Sequence, residues 1–286
     1  MSKMKILVCC HKPGNFKSDA VYMPIHVGKA VSQFNLGIQG DDTGDNISAE
    51  NANFCELTAL YWAWKNMEPV DYIGLCHYRR YFNFHKRGSL FTDSTIVKTS
   101  NFERLDLDAS QIVSLFKRYD VIMVKPQVTK YSLAADYCVG DIGEDLRVLL
   151  EIIREKYPEY MNACEDILLR NSQIKSYNMM IMRWDDFDKY CTWLFDILFE
   201  ARKRINIDNY NAVQRRIWGY MAERLLNIYV YHHKMRVKTY PIYWINDDVV
   251  QKPLYYRALR WLRRMLSFKL LMPTAKQGYW QNDIMF

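Results

Sequence analysis

Asp71-Tyr72-Ile73-Gly74-Leu75-Cys76-His77-Tyr78-Arg79-Arg80-Tyr81-Phe82 decides the fold of this chain. Residues 71–76 form a short, apolar, buried strand, and it delivers a His, two Arg and two Tyr at its carboxyl end. Toward the N-terminus, residues 5–10 make a second such run, which breaks at His11-Lys12-Pro13-Gly14-Asn15, a polar turn cluster. Toward the C-terminus, residues 120–124 make a third strand, closed by Lys125-Pro126, and residues 179–182 a fourth. Helical patterns lie between and after them. Over residues 53–66, Phe54, Leu57, Leu60, Tyr61 and Trp64 recur at helical spacing. Residues 108–119, 144–156, 185–204 and 213–230 read as further helices. Strands alternating with helices predict an α/β fold with a mainly parallel sheet, whose ligands sit at the carboxyl ends of the strands.

Composition bounds the rest. The chain has 286 residues, 50% of them hydrophobic, which suits one large core. With 21 Tyr and 8 Trp it is too aromatic for a disordered chain. The formal net charge of +7 fits phosphate-rich ligands, nucleic acid or an anionic membrane surface. No RNA-recognition or helix-turn-helix signature accompanies it, and much of the charge is concentrated near the C-terminus, which argues against nucleic acid. The seven Cys sit mostly in apolar runs with no CxxC pair, so they read as buried thiols of a reducing compartment. No 18-residue uncharged stretch and no signal-peptide pattern occur, so a cytoplasmic protein is expected. GxxxxGK[ST], GxGxxG after the first strand and GxSxG are all missing, which argues against P-loop kinases, dinucleotide oxidoreductases and α/β-hydrolases.

Several residues carry candidate chemistry. Arg79 and Arg80 suit a diphosphate, because a guanidinium bonds phosphate oxygens in pairs and stays charged. The loop at 40–48 holds Asp41, Asp42 and Asp45, a spacing that suits a divalent cation, a ribose or a plain turn. Asp141, Glu144 and Asp145 cluster near a helix start and are candidates for the general base that deprotonates an acceptor hydroxyl. Capping is the alternative role there. Asn178 directly precedes a strand and can bond a substrate hydroxyl. Glu223 shares a predicted helix with Arg215, Arg216 and Arg224, either as a further base candidate or as a member of buried ion pairs.

Longer strings resemble a known family. These are Cys55-Glu56-Leu57-Thr58-Ala59-Leu60-Tyr61-Trp62-Ala63-Trp64-Lys65-Asn66 and His77-Tyr78-Arg79-Arg80-Tyr81-Phe82. Ile6-Leu7-Val8-Cys9-Cys10-His11-Lys12, Pro24-Ile25-His26-Val27-Gly28, Asp45-Asn46-Ile47-Ser48 and Tyr177-Asn178-Met179 extend the likeness. The chain resembles bacterial capsular and exopolysaccharide glycosyltransferases long catalogued as a domain of unknown function. The resemblance implies a GT-A-like nucleotide-sugar-binding domain over residues 1–250 and transfer of a sugar, from a UDP-sugar such as UDP-galactofuranose, to a saccharide or lipid-linked saccharide. It implies donor binding by His11, Lys12, Val27, Gly28, Asp45, Asn46, His77, Tyr78, Arg79, Arg80 and Asn178. GT-A enzymes commonly hold a metal through Asp-x-Asp at the analogous strand end. This chain has His77-Tyr78-Arg79 there, so arginine takes the diphosphate, with manganese or magnesium on the 40–48 loop as the alternative. A competing possibility is an assembly factor of polysaccharide synthesis that kept the fold and lost the chemistry.

Residues 251–286 form a separate, basic C-terminal appendage. Lys252, Arg257, Arg260, Arg263, Arg264 and Lys269 occur there, with no acidic residue between 252 and 272. On a helix, Leu254, Ala258, Trp261, Leu262, Met265 and Phe268 gather on one side and Arg257, Arg260 and Arg264 on another. Such a helix suits either the interface of an anionic membrane or packing on the catalytic domain.

Overall fold

The computed structural model describes residues 3–85, 94–249 and 252–275, with side chains described to residue 266 in the final helix. Five strands lie in the first third of the chain: β1 (Met4–Cys10), β2 (Tyr22–His26), β3 (Gln39–Gly40), β4 (Tyr72–His77) and β5 (Arg80–Phe82). Next come β6 (Ser94–Val97), β7 (Val121–Val124), β8 (Gln127–Val128) and β9 (Gln173–Ile174). The last three are β10 (Met180–Arg183), β11 (Val237–Tyr240) and β12 (Ile242–Ile245). The helices are α1 (Asn51–Phe54), α2 (Leu57–Asn66), α3 (Ala109–Leu115), α4 (Leu133–Gly140) and α5 (Gly143–Lys156). After them come α6 (Met161–Leu168), α7 (Trp184–Arg204), α8 (Ile217–His232) and α9 (Leu254–Ala275).

The central sheet runs β11-β7-β10-β4-β1-β2-β3. All neighbours are parallel except β10, which is antiparallel to both β4 and β7. A mainly parallel sheet with helices between its strands is the α/β architecture that the sequence predicts. The apolar runs are continuous because the sheet is covered on both faces. Leu7, Cys9, Ile73, Leu75, Met123 and Met182 point into one core layer, which packs α2 and α5 to α8. Ile6, Val8, Cys10, Cys76, Ile122 and Ile181 point into the other, with Tyr81, Phe82, Phe116 and Ile242. At one corner, β12 pairs with β5 and β6 and extends the sheet off its main path.

Two departures from the sequence reading matter for the site. The predicted helix over 53–66 is two helices, broken at Cys55, whose φ of 53° and ψ of −131° leave the helical region. Asn51 holds the break by donating to the Cys55 carbonyl at 2.7 Å and to Thr58 Oγ1 at 3.0 Å. The predicted helix over 213–230 starts later, at Ile217, behind a single 3-10 turn at Gln214–Arg216. All seven Cys are free thiols, five of them buried. No helix among the described residues is long and apolar enough to cross a membrane.

The appendage begins with α9, which packs on the domain. Arg257 Nη2 donates to the Ser94 carbonyl at 2.7 Å, and Arg264 Nη1 to the Val128 carbonyl at 2.8 Å. The faces expected from the helical projection are redistributed. Trp261, with Arg257, Arg260 and Arg264, lines a cavity against the domain. Leu254, Tyr255, Leu259, Leu262 and Leu266 are exposed. The side chain of Phe268 and residues 276–286 of the expected tail lie outside the described residues.

Candidate active site

The parallel strands β1, β2 and β4 bring their carboxyl ends to one edge of the sheet. This places His11 and Lys12, then Val27 and Gly28, then His77 to Arg80, side by side. Because β10 runs the other way, its start reaches the same edge and carries Tyr177 and Asn178 there. Both adopt positive φ, 72° and 52°. Such a pair is unfavourable for non-glycine residues unless neighbours hold it in place. Here α8 supplies the hold. Asn227 bonds Lys175 in both directions, at 3.0 and 3.2 Å. The Tyr177 N–H donates to Glu223 Oε1 at 2.7 Å, and Asn178 Nδ2 donates to the Gly219 carbonyl at 3.2 Å.

Asn178 also donates to Glu56 Oε1 at 2.8 Å. Glu56 follows the Cys55 break, so the break turns this carboxylate toward the strand ends. Gly219 permits the close approach of α8, because a Cβ there would stand 3.2 Å from both Cβ and Sγ of Cys55. Arg216 Nε contacts Cys55 Sγ at 3.4 Å. Glu56, Asn178 and Glu223 are thereby tied together from three separate parts of the chain.

The electrostatics separate the roles. Dense surroundings strip water from the Glu223 carboxyl and push it up to about 7. Arg224 and the Tyr177 N–H oppose that rise, whereas Glu56 adds to it. Burial also raises the Glu56 carboxyl, and the bond from Asn178 pulls it back. His77 goes the other way: burial, then Arg80, lower it to about 4, so it is neutral near pH 7. Its Nε2 donates to the Tyr177 carbonyl at 2.8 Å, which leaves Nδ1 as an acceptor. The Arg80 guanidinium lies 4.6 Å over the Tyr177 ring. Arg79 is exposed and its Nε reaches the Ile245 carbonyl of β12 at 3.3 Å. Tyr78 packs edge-on against His11 at 5.3 Å. Glu223 lines a cavity of about 290 Å³ with Arg224, Asp136 and Ser176.

The other sequence candidates are engaged elsewhere. Asp41 is fully buried and accepts from the N–H of Gly28 at 2.8 Å, from the N–H of Lys29 at 3.1 Å and from the Ser48 hydroxyl. Asp42 lies 3.4 Å from Lys29 Nζ. Asp45 accepts from the Tyr61 hydroxyl at 3.0 Å and its loop is clasped by Asn66, along α2. Asn46 closes its own turn by accepting from the Ser48 N–H at 3.1 Å. The acidic loop thus serves as a structural clasp, and its three Asp do not converge on one point. Among the described residues no group of three His, Cys, Asp or Glu is placed to hold a metal ion. Glu144 is exposed and pairs with Arg147 at 2.9 Å. Asp145 is buried against the Tyr210 hydroxyl at 2.7 Å. Asp141 ends α4, where Arg224 and Arg216 offset the rise that burial imposes on its carboxyl. Of the four base candidates, Glu223 is the one bonded into the strand-end cluster. Glu56, which the sequence offers only as part of a family string, belongs to this cluster, and Arg216, expected in buried ion pairs, contacts Cys55 instead.

Residues 5–234 match the family described as a domain of unknown function, DUF4422. The chain belongs to this DUF4422 family. A comparison with curated proteins finds no match. Among solved structures, the chain is similar to the WbbM bifunctional glycosyltransferase in its apo form, with 33% identity and a TM-score of 0.78. The likeness covers 88% of this chain and 47% of that one, so the DUF4422 chain spans about half of its relative's length. The strand order and the likeness together show the GT-A-like α/β fold that the sequence resemblance implies.

Proposed function

We propose that this DUF4422 domain is a glycosyltransferase whose general base is Glu223. In this mechanism a nucleotide-sugar, a UDP-sugar by the family resemblance, lies across the carboxyl ends of β1, β2 and β4. His11, Lys12, Val27, Gly28 and the His77–Arg80 segment hold it. Arg80 faces the leaving diphosphate, and its fixed charge stabilises the negative charge that develops as the bond to the sugar breaks. The acceptor hydroxyl sits in the cavity at Glu223. As its oxygen forms a bond to the anomeric carbon, its proton passes to the Glu223 carboxylate and the nucleoside diphosphate departs. The single observation that carries this proposal is Glu223 at the strand-end edge with its carboxyl pushed up to about 7. A base with a pKa near the working pH is both available and able to take a proton. Asn178 and Glu56 position the backbone that holds Glu223.

The test is consumption of UDP-sugars by the purified chain, with Glu223→Gln as the control. General-base catalysis contributes roughly 10²–10⁴-fold, so the variant is expected to lose about that much turnover while UDP still binds. Turnover by Glu223→Gln within about threefold of wild type would remove the base assignment. No consumption of any nucleotide-sugar by wild type would remove the transferase itself.

A further inference from the structure

The two sides of α9 meet different surroundings. Arg257, Trp261 and Arg264 turn to the domain, where the two arginines bond the carbonyls of Ser94 and Val128. On the far side, Tyr255, Leu259, Leu262 and Leu266 are between 47% and 69% exposed. At about 100° per residue these four fall within roughly 60° of one another, opposite Arg257 and Arg264. They form one apolar stripe, and the arginine bonds fix the rotation that points it away from the domain. A surface helix ordinarily buries such a stripe against its own core. Here the leucines give up that burial, and a continuous apolar surface left outside marks a contact with something else.

Charge and spacing select the partner. The helix carries five cations and no Asp or Glu. Lys252 and Arg260 are exposed beside the stripe, together with Tyr256. Leucines edged by tyrosine and cations complement a surface that is apolar below and anionic above, which is a phospholipid interface. A second copy of α9 fits less well. The 4-3-4 spacing of the stripe suits a coiled coil, but it spans fewer than two heptads, and its next two positions in sequence are Lys269 and Pro273. A coiled coil needs about three to four heptads. Pairing two such helices also sets cations near cations with no carboxylate on either. We propose that α9 docks the domain on an anionic phospholipid surface through Tyr255, Leu259, Leu262 and Leu266, while its arginine side stays bonded to the domain. The helix lies in the plane of that surface, since no described helix is apolar enough to cross it. It shares a cavity wall with Arg80 and Tyr177, so docking brings the strand-end cluster close to the lipid. The docking stands whether or not the chain transfers a sugar.

Flotation of the full chain with vesicles tests this, using phosphatidylcholine alone and phosphatidylcholine mixed with phosphatidylglycerol. Leu259→Gln/Leu262→Gln removes the apolar contact without touching the side that faces the domain. Lys252→Gln/Arg260→Gln removes charge and keeps the Arg257 and Arg264 bonds. Circular dichroism checks that each variant is folded, and sedimentation velocity gives the oligomeric state. Wild type is expected to bind the mixed vesicles, and phosphatidylcholine alone at least about tenfold more weakly. Each cation near an anionic surface contributes about fivefold, so the charge variant is expected to lose roughly tenfold or more on the mixed vesicles. The leucine variant is expected to lose at least about as much. Wild type that does not float, or a leucine variant that floats as well as wild type, would overturn the docking. Equal binding to both kinds of vesicle would remove the anionic surface as the partner. A wild-type oligomer that the leucine variant turns into monomer would give the stripe to a second copy instead. Turnover of UDP-sugars without vesicles is expected to be the same in both variants as in wild type, so a failed docking and a failed transferase give different results.

Discussion

The Asn178 side chain donates a 2.8 Å hydrogen bond to Glu56 across 122 positions of sequence, and through it the β1–β4 half of the sheet is tied to α8. Asn178 is 2% exposed and has a φ of 52°, which Asn tolerates better than most residues. Asn178→Ala removes the donor and leaves the Glu56 carboxylate without this partner. The expected loss is about 1–3 kcal/mol of unfolding free energy, measured by urea denaturation. Asn178→Asp is expected to lose more, because it sets two carboxylates against each other. That excess shrinks as the pH falls, since burial raises the Glu56 carboxyl and it protonates early. An Asp variant as stable as the Ala variant at every pH would refute the contact.

A second prediction follows from the raised Glu223 carboxyl. As a base it must be ionised, so kcat/KM is expected to rise with pH through about 7 and level off above it. Glu223→Gln is expected to flatten that limb. The same shift has a consequence for folding. The folded value, about 7, exceeds the ordinary value of 4.5, so the stabilisation linked to this proton is fully present below about 4.5 and is lost as pH rises through 7. Wild type is therefore expected to gain stability relative to Glu223→Gln on acidification across that window. A pH–rate profile without an ionisation near 7 would contradict the assignment.

Gly28 gives a third, through the backbone. Its φ is +67°, and a Cβ there would stand 2.7 Å from the Asn51 Cβ. Asn51 is the residue that holds the Cys55 break, so displacing it loosens the turn that presents Glu56. Gly28→Ala is expected to cost about 2–4 kcal/mol, from left-handed strain plus overpacking. Gly14→Ala is the control. No atom lies within 4 Å of its Cβ position, and its change is expected to stay within about 0.5 kcal/mol. Thermal melts of the two variants decide this, and equal melting temperatures would show the Asn51 contact to be soft.

What was legible in the sequence is what depends on local pattern. The apolar runs ending at Cys10 and Cys76 marked strands, and the polar residues after them marked the edge of the sheet where the cluster lies. The break at Cys55 was not legible. Phe54, Leu57 and Leu60 keep their helical period through it, and the positive φ is held by Asn51 in the turn before and by Gly219 and Arg216, more than 160 positions away. Asp45 looked like a ligand because Asp-rich turns and binding loops share a composition. Its Tyr61 partner lies on α2, beyond the Cys55 break. For α9 the sequence marked a basic amphipathic helix but put Trp261 opposite the arginines it lies beside, and which side turns inward is decided by Ser94 and Val128, whose carbonyls take Arg257 and Arg264.

The last prediction separates two adjacent arginines. From sequence, Arg79 and Arg80 were equivalent candidates for the donor diphosphate. In the fold they diverge, because Arg79 lies in the turn after β4 whereas Arg80 opens β5. Arg79 is exposed, and both its Nε and its carbonyl engage Ile245 of β12. Arg80 turns inward over the Tyr177 ring, close enough to lower His77 and to oppose the rise of Glu223. A charge placed among these groups acts on the reacting bond, whereas one at the rim acts on encounter and is screened by salt. Arg80→Ala is therefore expected to lower nucleotide affinity or turnover by about 1.5–3 kcal/mol, the value of a hydrogen bond to a charged group. Arg79→Ala is expected to change either by less than about 1 kcal/mol, with most of its effect lost in high salt. UDP calorimetry and donor turnover at low and high salt measure both. A larger loss in Arg79→Ala than in Arg80→Ala would place the diphosphate on the β12 side of the edge and move the donor away from Glu223.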